Sequence, residues 1–202
     1  MNKVDSLLLS RNKFMTLFLA KTHGIKVPET ILSENIAYTY RFIEKWDKYI
    51  YKPIIGSRGF GSTLFIDKDI AFQAMKTLEK FNQPFMFQKF IENPGRDIRI
   101  MVIGDNVIAS MYRITAPFTW KANIAQGGVG KPYKPTEEVK EMAIRISKIL
   151  GLDYAGVDIL ESSKGYILLE VNGSPDFEEL TRVSGINIAE KIILHLLDLI
   201  KQ

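Results

Sequence analysis

Two apolar runs, DIRIMVIG and NVIASMYRI, meet at Gly104-Asp105. A Gly-Asp pair between two such runs is a hairpin signal, so the stretch predicts two antiparallel strands. A second pair, YAGVDILE and YILLEVN, is joined across residues 162–165 and predicts another hairpin. Hairpins outweigh repeated strand–helix–strand units. The expected class is therefore α+β, built on antiparallel sheets in two lobes.

Helices are expected between these strands. Residues 12–23 place Phe14, Leu17, Phe18 and Lys21 at helical spacing and stop at Gly24, as an amphipathic helix does. Others are expected over 36–46, 69–81 and from Asn187, where Asn187 and Glu190 fit a capping box. The clearest starts at Thr136, with Glu137 and Glu138 in its first turn, an apolar stripe from Val139 to Leu150, and Gly151 after it. YIYKPII, STLFI and PFMFQKFI read as further strands. Residues 115–135 are rich in Gly and Pro and have no period. A loop of that length inside a compact domain points to function.

Composition narrows the chemistry. The 202 residues are 46% hydrophobic, and 27 basic against 23 acidic residues give a mild +4. The basic residues are scattered, so no nucleic-acid partner is expected. With no cysteine and only two histidines, thiolate chemistry and a multi-histidine metal site are excluded. His23, before Gly24, reads as a helix-end cap, and His195 as a helix-flank residue. The apolar runs are too short to span a membrane, and the N-terminal one is too short for a secretory signal. No membrane partner is expected, and a cytoplasmic location is the default.

Chemistry concentrates at two places. If the second hairpin turns near Lys164, Asp158 lies across from Glu170, and Glu170 shares a strand face with Asn172. Val157, Ile159, Leu169 and Val171 then point to the core. Two opposed carboxylates repel and call for positive charge between them. The set reads either as a Mg²⁺ seat of hard oxygens or as an ordinary acidic strand face. The other place is KPIIGSRGFGSTLF, residues 52–65. It is neither a P-loop nor a dinucleotide fingerprint, because strand-like TLFI follows it rather than a helix. It reads as a plain turn or as a flexible cover whose backbone N–H groups meet phosphates, with Lys52 adding a point charge.

Taken in order, these pieces resemble the ATP-grasp superfamily, and its RimK-like branch of glutamate ligases most. The likeness runs from about Arg11 to the C-terminus and rests on GRDIRIMVIGDNVIASMYR, NIAQGG, YAGVDIL, LLEVNGSP and SGINIAEK. It implies an ATP-grasp fold in which each lobe has an antiparallel sheet with packed helices and the nucleotide sits in the cleft between them. The whole of 1–202 would form a single module. Residues 28–87 would be the smaller lobe carrying the glycine-rich lid, 88–202 the larger lobe with the metal hairpin, and 1–27 would pack with the latter.

Residue by residue, the resemblance makes Asp158, Glu170 and Asn172 ligands of Mg²⁺, with Mn²⁺ as an alternative ion. Lys13 and Lys52 would contact nucleotide phosphates, under a lid of Gly56, Ser57, Gly59 and Gly61. Lys89 and Phe90 would hold adenine through backbone groups, and Asp97 would help position the nucleotide. Arg113 and Asn123, with Lys121 near them, would face the transferred phosphoryl group. Lys121 stands where relatives generally carry arginine, Gln126 replaces a common basic residue, and Lys89 a frequent acidic one.

The implied activity is an ATP-dependent carbon–nitrogen ligase. It would join an amino acid such as glutamate to a protein or cofactor acceptor through an acylphosphate. The acceptor is left open, and so is a homo-oligomer. Relatives carry a further N-terminal domain of roughly a hundred residues, a typical small-domain size, that shapes the acceptor pocket. The alternative expectation is therefore an ATP-binding module that is inactive without such a domain or a partner.

Overall fold

The computed structural model describes residues 1–201. The chain divides into two compact units, one of residues 1–27 with 93–202 and one of residues 28–92.

The first unit opens with α1 (Val4–Arg11) and α2 (Lys13–Thr22). Asn12 caps α2 by accepting from the Met15 N–H, and the His23 ring meets the Leu19 carbonyl at 2.8 Å, where the helix ends before Gly24. The inward face of α2 is Thr16, Leu17 and Ala20. Phe18 is exposed and stacks on Phe14 in place of joining the core.

The second unit runs β1 (Thr30–Ser33), α3 (Ile36–Ile43), β2 (Tyr49–Tyr51), β3 (Thr63–Phe65), α4 (Lys68–Lys80) and β4 (Phe85–Lys89). Its sheet has the order β1-β4-β2-β3, with every pair antiparallel. Tyr49, Phe65, Phe85 and Phe87 pack with Ile43, Trp46 and Met75 into its core. The strand expected from YIYKPII ends at Tyr51, because Pro53 brings no N–H to a ladder.

The first unit resumes with β5 (Arg96–Ile103), β6 (Asn106–Ile114), β7 (Val129–Pro132), α5 (Glu137–Ile149), β8 (Tyr154–Ser162), β9 (Gly165–Asn172), α6 (Glu178–Ser184) and α7 (Ile188–Ile200). The antiparallel sheet order is β7-β6-β5-β8-β9. Residues 115–135 are less irregular than expected, since they contain a single 3₁₀ turn, Ile124–Gln126, and the edge strand β7.

Alternation splits the two faces of β5. Ile98, Ile100 and Val102 join Val139, Ala143 and Ile146 of α5 in the main core. On the opposite face, Met101 and Ile103 pack under Leu180 of α6 and Ile188 of α7. Asp97 and Arg99 continue that second face as charges.

One expectation fails on β9. The β8–β9 register shifts between Asp158 and Ile159, so Ile159 pairs with Leu168. The β-bulge leaves Leu169 without a partner and reverses the alternation beyond it. Leu168, not Leu169, is the core residue.

Candidate active site

The charged half of the first unit's sheet carries five of the predicted residues. Asp158 lies directly opposite Glu170, and Asn172 opposite Gly156. Asp97 faces Arg113 across β5–β6, and Arg99 faces Asp158 across β5–β8. Four strands thus place alternating charges next to each other on one surface.

The contacts are short. Arg113 donates from Nε and Nη2 to the two carboxylate oxygens of Asp97, at 2.7 Å each. Its Nη2 also lies 3.0 Å from Oδ2 of Asp158. Nε of Arg99 is 3.1 Å from Oδ1 of Asp158. At the sheet edge, Nζ of Lys13 is 3.2 Å from Oε1 of Glu170. Asp97, Arg113 and Asp158 are all buried. Burial opposes the charge on Arg113, yet Asp158 and Asp97 outweigh it and hold its pKa above the ordinary value. Burial dominates at Arg99 and lowers its pKa despite Asp158.

The positive charge that the opposed carboxylates require is therefore partly supplied from neighbouring strands. Arg99, in the middle of the D-I-R segment, was not among the expected site residues. Its signal was parity: it shares a strand face with Asp97. Gly156 makes room for it, since a Cβ there would lie 2.5 Å from Nη1 of Arg99 and 2.6 Å from Cβ of Pro175.

Two observations bear on a cation. Oδ1 of Asp158 is buried without a hydrogen-bond partner, although it lies beside Arg99. Among the described residues no group of three or more His, Cys, Asp or Glu is placed to hold a metal. Asp158, Glu170 and the amide oxygen of Asn172 nevertheless form an all-oxygen set, and Mg²⁺ commonly takes only one or two carboxylates beside phosphate oxygens and water. The residues fit that ion.

Asn123 and Lys121 lie on the segment between β6 and β7. The Asn123 carbonyl receives the Gln126 and Gly128 N–H groups. Nζ of Lys121 lies 5.3 Å from the Trp120 ring centre, and burial lowers its pKa.

The remaining predicted residues belong to the second unit. Nζ of Lys52 donates to Oε1 of Gln88 at 2.6 Å, and Nε2 of Gln88 donates to Thr30. Gln88, buried on β4, is a second residue that sequence reasoning passed over. Gly56, Ser57, Gly59 and Gly61 form the β2–β3 connection, with turns closed by Phe60 N–H to Ser57 and Ser62 N–H to Gly59. Lys89 ends β4 and pairs with Glu29 at 3.0 Å, while the Phe90 N–H donates to the Lys48 carbonyl.

Comparison with known proteins identifies the family. A family model described as a RimK-like ATP-grasp domain matches residues 10–196. The chain is 35% identical to the tetrahydromethanopterin:alpha-L-glutamate ligase of Methanocaldococcus jannaschii, over 99% of this chain and 70% of that protein. It is 34% identical to the alpha-aminoadipate–LysW ligase LysX of Sulfurisphaera tokodaii, over 100% of this chain and 72% of that one. Among solved structures, the ATP-grasp ligase PsnB, complexed with a phosphomimetic variant of a minimal precursor, Mg and ADP, is similar with a TM-score of 0.74 and 25% identity. That match covers 94% of this chain and 59% of PsnB.

Proposed function

We propose, for a chain that belongs to the RimK-like ATP-grasp family of ligases, an ATP-dependent carboxylate–amine ligase activity that attaches glutamate or a similar amino acid to a protein or cofactor. The observation that carries this reading is the register of β8 and β9, with Asp158 opposite Glu170 beside Arg99 and the buried Arg113.

In the proposed reaction a substrate carboxylate oxygen attacks the γ-phosphorus of ATP. The bond to the β-phosphate oxygen breaks and ADP leaves. An amine then attacks the acyl carbon, loses a proton and expels phosphate, forming the amide. Mg²⁺, when bound, neutralises phosphate charge. Asp158, Glu170 and Asn172 would hold it, and Asp97 would fix Arg113 through its paired hydrogen bonds. Lys52, steadied by Gln88, would bind phosphate oxygens. Positioning and charge, rather than covalent catalysis, are what phosphoryl transfer asks of a protein.

The test is ADP release from ATP and Mg²⁺ with glutamate and a panel of candidate carboxylates, followed by mass spectrometry of the product. Acceptor-dependent ADP and an amide product are expected, and both should disappear in Glu170→Gln. Stabilisation by nucleotide with no ADP formed for any acceptor would overturn the ligase reading in favour of a nucleotide-binding module.

A further inference from the structure

α7 has an unusually apolar outer face. Its inward side is Ile188, Ile192 and His195, with Ile188 and Ile192 packed into the cluster over β5 and β6. On the outward side Ile193 is 55% exposed, Leu194 46%, Leu197 47% and Ile200 71%. At about 100° per residue these four side chains fall within an arc of roughly 120°. A soluble helix ordinarily keeps that face polar.

The charges around the stripe have an order. Glu190 lies within the same face at the N-terminal end, and Lys201 follows it at the C-terminal end. On one flank, Lys191 and Asp198 are exposed two turns apart, about 10 Å along the axis and too far for a direct pair within the helix.

We infer that this face is a homodimer surface, in which α7 of a second copy packs antiparallel across Leu194 and Leu197. Turning a second helix end for end about the level of residues 195 and 196 sets Leu194 opposite Leu197 of the second copy. The same register sets Glu190 opposite Lys201 of the second copy, and by symmetry each contact occurs twice. Lys191 and Asp198 of the second copy then fall on the same flank within reach of a lysine side chain. A parallel arrangement would instead oppose Glu190 to Glu190 and Lys191 to Lys191. Antiparallel helices also oppose their dipoles favourably. The sequence is thus self-complementary in one orientation only. Because one helix pair covers less area than a standard interface, the dimer is weak and reversible.

Sedimentation velocity of the full chain over a range of concentrations tests this. A concentration-dependent monomer–dimer equilibrium is expected. Leu194→Glu with Leu197→Glu should hold the chain monomeric, and circular dichroism should report its helices intact because both residues are exposed. Glu190→Lys alone, or Lys201→Glu alone, should weaken association roughly tenfold by replacing attraction with repulsion at two symmetric places. The double exchange, Glu190→Lys with Lys201→Glu, should restore it. A chain that stays monomeric at all concentrations would overturn the inference. So would a dimer indifferent to these substitutions, an exchange that fails to restore association, or binding to mixed phosphatidylcholine–phosphatidylserine vesicles without self-association.

Discussion

Asp97 and Arg113 face each other across the β5–β6 ladder, joined by two parallel hydrogen bonds of 2.7 Å, and both are buried. A bidentate pair of this kind is among the stronger polar contacts in proteins, and its planar fork also fixes orientation. Arg113 extends the same charge to Asp158, so one guanidinium answers for two carboxylates.

Removing that guanidinium should strand Asp97 and leave Asp158 with Arg99 alone. Arg113→Met is expected to destabilise the fold by about 3–5 kcal/mol, the range for breaking a buried pair from one side. Thermal denaturation should register a fall of roughly 10 °C. Asp97→Asn on the Arg113→Met background should recover part of the loss, because one stranded charge goes with it. Arg113→Lys keeps the charge without the fork and should fall between. A melting temperature unchanged in Arg113→Met would show that the network carries no weight.

The glycines of the β2–β3 connection are not equivalent. Gly61 has φ of +75°, and a Cβ there would lie 2.7 Å from Cγ of Pro53. Gly56 has only ordinary contacts around a built Cβ, 3.6 Å from Cβ of Pro53 at the nearest. Gly61→Ala should therefore cost about 1–2 kcal/mol and re-aim the loop, raising KM for ATP if the loop covers phosphates. Gly56→Ala should stay within about 0.5 kcal/mol. Paired denaturant titrations and ATP kinetics distinguish the two.

Much of this was legible in the sequence because it is local. The turn at residues 162–165 starts the β8–β9 register, which would carry Asp158 opposite Leu169, and the bulge between Asp158 and Ile159 shifts it by one residue so that Asp158 meets Glu170. The same bulge thus delivers the acidic pair that a turn near Lys164 predicts and moves the core position from Leu169 to Leu168. What stayed hidden depends on distant partners. Arg99 reads as a solvent-facing strand residue until β8 brings Asp158 beside it. Gln88 gains its role only when β2 delivers Lys52. α1 was missed because VDSLLLSR lacks a clean helical period, and much of what holds the preceding residues is Asn2, which donates to the Tyr154 and Gly173 carbonyls. The short α6 and β7 carry too few residues to show a period at all.

Lys52 offers a separate test of the proposed nucleotide contact. Its ammonium is held 2.6 Å from Oε1 of Gln88, a neutral acceptor. Lys52→Met should lower the melting temperature by only a few degrees, since it leaves the buried Oε1 of Gln88 without this donor but strands no charge there. Loss of a charged hydrogen bond to phosphate corresponds to roughly tenfold to a hundredfold in ATP affinity. Calorimetric titration with a non-hydrolysable ATP analogue measures this directly. Equal affinity in the variant would remove Lys52 from the site.

Alkaline pH should expose a weakness in the second unit. Tyr49 is fully buried among Phe65 and Phe87, and burial pushes its pKa up to about 12 from an ordinary 10.0, helped by Tyr40 and Asp67. The folded state keeps the phenol protonated where the unfolded chain releases the proton. Between those values the folded state binds more protons, so stability falls as pH rises. The contribution is fully present below pH 10 and is lost progressively toward pH 12. A shift of that size corresponds to about 2–3 kcal/mol across the window. Tyr49→Phe retains the ring packing and removes the proton, so its denaturation midpoint should decline less steeply over the same range. Tyr112, pushed up to about 12 by burial and its bond to Glu161, should leave a residual slope in that variant. Denaturant titrations at intervals from pH 9 to pH 12 compare the slopes, and identical slopes in the two proteins would place the alkaline transition elsewhere.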